Sequence, residues 1–86
     1  MEIEVRAIPE VKGFLEEIVD EMVRLFRISR DEAIGRMNRE WADQEFHDED
    51  DLIFHETPDY WARDIYYGPD ARWRDRGATP RPLPYP

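Results

Sequence analysis

Residues 9–27 read PEVKGFLEEIVDEMVRLFR. At about 100° per residue Val11, Phe14, Leu15, Ile18, Val19, Met22, Val23, Leu25 and Phe26 fall within one half of the helical wheel. Glu16, Glu17, Asp20, Glu21, Arg24 and Arg27 take the other half. So wide an apolar arc exceeds what one neighbouring helix covers, and it predicts a central helix with later segments wrapped round it. Before it, residues 1–8 alternate: Ile3, Val5 and Ala7 face one side, and Glu2, Glu4 and Arg6 the other. That is the period of a half-buried strand. Its partner is either the run Leu52-Ile53-Phe54 or the same strand of a second subunit, and Pro9 suits the first turn of the helix that follows.

Ser29-Arg30-Asp31-Glu32 is a capping box that opens a second helix over residues 30–42, with a narrower stripe of Ala33, Ile34, Met37 and Trp41. Glu32 to Arg36, Arg36 to Glu40 and Arg39 to Asp43 are i,i+4 pairs, which reads as a solvated face rather than a nucleic-acid patch. Residues 43–51 break the period and read as an ordered acidic loop anchored by Phe46. Leu52-Ile53-Phe54 is too short to type as edge strand or buried extended segment.

Thr57-Pro58-Asp59 opens a third helix, with threonine as cap and proline at its first position, and Gly68-Pro69 closes it. Trp61, Ala62 and Ile65 share one face, with Tyr66 beside them, and Tyr60 and Tyr67 lie nearly opposite. A helix aromatic on both sides is either sandwiched between the core and something else or displays an aromatic surface to a ligand. Residues 69–86 hold five of the seven prolines and four arginines, and so predict an extended tail rather than a core. The expectation is a mainly α fold of about three helices round a central amphipathic one, with one or two short strands. Residues 1–68 form the globular domain and residues 69–86 the Pro/Arg-rich tail.

Composition sharpens this picture. Eighty-six residues make one domain near the size at which a single core is marginal, and without cysteine no disulfide supports it, so a homodimer is expected. No secretory pattern and no membrane-length apolar run appears, and the expected place is the cytoplasm. The net charge of -9 is uneven: residues 43–59 carry eight acids and no base, whereas residues 60–86 carry five arginines against three aspartates. Such a balance repels nucleic acid and anionic lipid and favours a basic protein or peptide as partner.

Glu45, His47, Asp48, Glu49, Asp50, Asp51, His55 and Glu56 crowd together as metal candidates. Their spacing matches neither the helical zinc pattern nor a calcium loop, so no metal ligand set and no cofactor is assigned. His55, Glu56 and Asp59 straddle a helix start, where acids serve capping, and neither a serine or cysteine nucleophile motif nor a glycine-rich phosphate loop is present. The binding candidates are therefore Asp48, Glu49, Asp50 and Asp51 with Tyr60, Trp61 and Tyr67, a surface over which Arg72, Arg74, Arg76 and Arg81 of the tail can lie. Residues 81–86, RPLPYP, look like a proline-rich ligand for an aromatic groove or a semi-rigid extension.

The order of a short alternating strand, Pro9-Glu10 opening a helix, and Ile28-Ser29-Arg30-Asp31-Glu32-Ala33 opening another resembles the ribbon-helix-helix family of bacterial DNA-binding proteins over residues 1–42. The resemblance implies an intertwined dimer that presents Glu2, Glu4 and Arg6 to the major groove. The reading that composition favours is a small acidic non-catalytic protein-interaction module. A ribbon-helix-helix regulator and a metal-dependent enzyme built on the acidic and histidine segment are the alternatives.

Overall fold

The structure is a computed structural model, and it describes residues 1–46, 52–68, 72–75, 77 and 79–86. Its elements are β1 (Arg6–Ala7), α1 (Pro9–Phe26), α2 (Arg30–Glu40), β2 (Glu45–Phe46), a 3-10 turn at Leu52–His55 and α3 (Pro58–Tyr67). This is the mainly α architecture that the hydrophobic pattern predicts. No helix among the described residues is long and apolar enough to cross a membrane.

α1 is the central element. Val11, Leu15, Ile18, Val19 and Met22 have no exposed surface, and α1 packs on both α2 and α3, which touch each other less. Each such side chain contributes about 1.5–3 kcal/mol on leaving water. Ala33, Ile34 and Met37 of α2, Ala62 and Ile65 of α3, Val5 and Ile53 complete the core. The turn between α1 and α2 puts Arg27 in the left-handed region at φ 54°, its N–H still donating to the Val23 carbonyl. Arg30 then ties α2 back to α1 by donating to Asp20 at 2.7 Å and to Glu16.

The serine and threonine caps form at two helices as expected, whereas the Glu32 side chain of the capping box turns to Arg36. Ser29 Oγ accepts from the Glu32 N–H at 3.0 Å, and Thr57 Oγ1 accepts from the Tyr60 N–H at 3.2 Å. α2 stops at Glu40, two residues earlier than the pattern suggests, with Trp41 turned inward as its C-terminal cap.

The strands differ from expectation. β1 is two residues long, and within the chain it pairs in parallel with β2, Arg6 opposite Glu45 and Ala7 opposite Phe46, rather than with Leu52-Ile53-Phe54. The α1–α2 hairpin supplies the long connection that parallel strands need. The extended backbone before β1 finds another partner: the Asn38 side chain accepts from the Glu4 N–H at 2.7 Å and donates to the Glu2 carbonyl at 3.0 Å. An amide side chain thus stands where a neighbouring strand would. Residues 43–46 of the expected acidic loop belong to the turn and strand that close this edge. Residues 52–55 coil instead of extending, so that Ile53 enters the core and its carbonyl meets Trp61.

Candidate peptide-docking face on the second and third helices

Gly35 sits in the middle of α2, where glycine costs roughly 1 kcal/mol relative to alanine. The structure supplies the reason. A Cβ at this position would overlap the Tyr85 hydroxyl, because the tail lays that ring directly on the helix backbone. Gly68, at φ 94° beyond the end of α3, makes a second bare site: a Cβ there would come within 3.0 Å of Leu83 Cδ1. The two glycines open two sockets, one for a tyrosine and one for a leucine.

Main-chain hydrogen bonds fix the segment between the sockets. The Leu83 N–H donates to the Tyr66 carbonyl at 2.9 Å, one of the carbonyls left without a helical partner in the last turn of α3. Arg36 Nη1 donates to the Leu83 carbonyl at 2.8 Å, and Arg39 Nη1 to the Pro84 carbonyl at 2.8 Å. The Arg36 guanidinium lies 4.7 Å from the Tyr66 ring centre and 5.4 Å from that of Tyr85, and Phe26 stacks on the far face of Tyr66 at 3.7 Å. Phe26, Tyr66, Arg36 and Tyr85 therefore form one column from α1 to the tail. Arg36 is only 5% exposed, a position a charge tolerates when paired and hydrogen-bonded, and Glu32 supplies the pair at 2.8 Å.

This corrects the reading of Arg36 as a member of a solvated face, while Arg39 is exposed as that reading has it. The Glu32–Arg36 pair is present, but Arg36 is buried and both arginines are turned to the tail. The i,i+4 spacing fits both situations equally well. Gly35 beside them was the available signal, because a glycine inside a helix points to close approach by another part of the molecule.

The sequence-predicted aromatic residues divide between two neighbourhoods. Tyr60 and Trp61 meet edge to face at 5.0 Å, Trp61 meets Trp41 at 5.8 Å, and the Trp61 indole N–H donates to the Ile53 carbonyl at 2.6 Å. Tyr67 stands instead with Tyr66 and Phe26. Asp48, Glu49, Asp50 and Asp51 lie outside the described residues, as do His47 and Arg76. Over Tyr60 the tail adds Trp73, 5.2 Å away, and Arg74, whose guanidinium lies 5.4 Å from the Tyr60 ring centre and donates to the Tyr60 hydroxyl at 2.6 Å. α3 is thus sandwiched between core and tail.

Trp73 also donates to Asp64, at 3.4 Å. Close by, burial raises the Glu40 carboxyl above its ordinary pKa; Asp64 adds to the shift and Arg39 opposes it. Among the described residues no group of three or more histidine, aspartate or glutamate side chains is placed to hold a metal ion, and His55 is exposed. This face gathers fixed donors, the Tyr66 carbonyl that accepts from Leu83 and Arg36, two glycine sockets and aromatic faces that accept a cation. Comparison with protein-family models, curated proteins and solved structures gives no match, so the functional reading rests on this geometry.

Proposed function

We propose that the chain is a non-catalytic protein-interaction module that receives an extended, cationic segment of a partner on its acidic and aromatic surface. The observation that carries the reading is Arg74. This arginine, on a part of the chain outside the helical core, rests on the Tyr60 and Trp73 rings with its centre 5.4 and 5.7 Å from theirs, and hydrogen-bonds to the tyrosine hydroxyl. A cation within about 6 Å of an aromatic ring is attracted by the ring's negative face, and arginine is suited to this by its flat, weakly hydrated head group. The surroundings lean the same way: on this helix Asp59 pairs with Arg63, Asp64 remains in excess, and the chain charge is -9.

The test uses the full chain. Arg74→Ala removes the resident cation, and an arginine-rich peptide followed by tryptophan fluorescence should then bind several-fold more tightly than to the wild type. The affinity should fall as salt is raised. Absence of binding to both forms at low salt contradicts the proposal.

A further inference from the structure

Resting on the reading of the chain as an interaction module, we infer that the groove between α2 and α3 is a receptor for an extended Leu-Pro-Tyr segment. Residues 83–85 are its resident occupant, and the partner it takes in trans is a polypeptide segment of the same pattern. This groove is separate from the surface that Arg74 covers, and it recognises its occupant differently. The hydrogen bonds go to the segment's main chain: the Leu83 N–H meets the Tyr66 carbonyl, and the Leu83 and Pro84 carbonyls meet Arg36 and Arg39. Main-chain bonding supplies affinity for any extended segment, and the sockets at Gly35 and Gly68 supply selectivity for tyrosine and leucine. Proline between them has no N–H to leave unpaired and sets an extended backbone in advance, which lowers the entropy lost on docking.

Part of the groove is held by contacts that do not involve its occupant. Arg36 is held from the other side by Glu32 and by the face of Tyr66, and Tyr66 is held by Phe26. No core residue comes from residues 79–86, and Pro82 and Pro84 are exposed, while Leu83 and Tyr85 are half-buried against the helices. A tethered occupant acts at an effective concentration of about millimolar. It excludes weak competitors and yields to a partner that adds contacts of its own.

The experiment uses the full chain carrying Leu83→Ala and Tyr85→Ala, which empties the groove, and a labelled RPLPYP hexapeptide followed by anisotropy. The double variant should bind the peptide at least about tenfold more tightly than the wild type, whose own segment competes. Adding Gly35→Ala, which forces the tyrosine ring to shift, should weaken binding severalfold. Alanine is the better helix former, so that loss reflects a blocked socket rather than a damaged helix. Failure of the double variant to bind while it still melts cooperatively makes the segment a strap on the fold and overturns the inference. Binding that Gly35→Ala leaves unchanged places the peptide elsewhere and overturns it too. Should the double variant not melt cooperatively, titration of the wild-type chain into the millimolar range carries the test, with Gly35→Ala again as the control. An arginine-rich peptide lacking leucine, proline and tyrosine separates the two readings: if it binds and the hexapeptide does not, the acidic face stands and the groove falls.

Discussion

Among the described residues Arg36 is the one charged side chain that is buried, and its partners show what its burial depends on. Glu32 balances the charge, while the Leu83 carbonyl and the two tyrosine faces take the remaining sides of the guanidinium. Glu32→Ala leaves that guanidinium without its counter-charge. Because Glu32 is itself partly exposed, we expect a loss of about 1–3 kcal/mol in urea unfolding, the range for leaving a buried polar group without its partner. A second residue-scale effect is pH-dependent. Glu40 is pushed up by burial and by Asp64, so its native form holds its proton more tightly than the unfolded chain does. Ionising it costs stability. The cost is complete above its folded pKa and disappears as pH falls through its ordinary value of 4.5. Glu40→Gln should therefore stabilise the protein at neutral pH, and its advantage should vanish under acid. Glu21 has the opposite sign, since its hydrogen bond with Arg24 holds it below its ordinary value. That contribution is present above 4.5 and is lost as pH falls through the lower folded value; it is small because the pair is on the surface.

At the scale of elements, legibility followed how much of an element its own sequence determines. α1 is readable because nearly every apolar side chain in it lies on one half of the wheel, and α2 and α3 because Ser29 and Thr57 announce their starts. β2 is not readable: Glu45 and Phe46 show no period, and they become a strand only because the α1–α2 hairpin returns the chain to β1. The N-terminal alternation is real, but Asn38 from α2 satisfies much of its backbone, a partner no local pattern reveals. The docking face was hidden for a related reason, since Arg36 and Arg39 have the spacing of a solvated ladder, and Gly35 between the turns is the one local sign that Leu83 and Tyr85 arrive there. Two substitutions probe the elements directly. Ser29→Ala removes the cap of α2 and should cost about 1 kcal/mol. Leu15→Ala, at a fully buried position of α1, should cost about 2–5 kcal/mol by opening a cavity in the core. Denaturant midpoints check both, and a Leu15→Ala midpoint near that of the wild type would remove α1 from the centre of the core.

At the scale of the molecule, the tail changes what the surface offers. Residues 73 and 74 cover Tyr60, and residues 83–85 cover the groove between α2 and α3, so both surfaces proposed for recognition are occupied in cis. A homodimer is the assembly proposed for a core this small. Sedimentation at micromolar concentration should return twice the chain mass, and a clean monomer would remove the proposal. The charge of -9 predicts that random duplex DNA is not retained at low salt. Retention that is lost on Arg6→Ala would instead favour the ribbon-helix-helix reading.

The central claim is that the C-terminal segment sits in a groove whose floor is the bare backbone of Gly35. The most direct measurement is proton NMR of the full chain, looking for through-space contacts between the Tyr85 ring and the α-protons of Gly35. The account predicts strong contacts, with those protons displaced by the ring current, and loss of both on Tyr85→Ala. Random-coil shifts for residues 81–86, with no contact to Gly35, would contradict it.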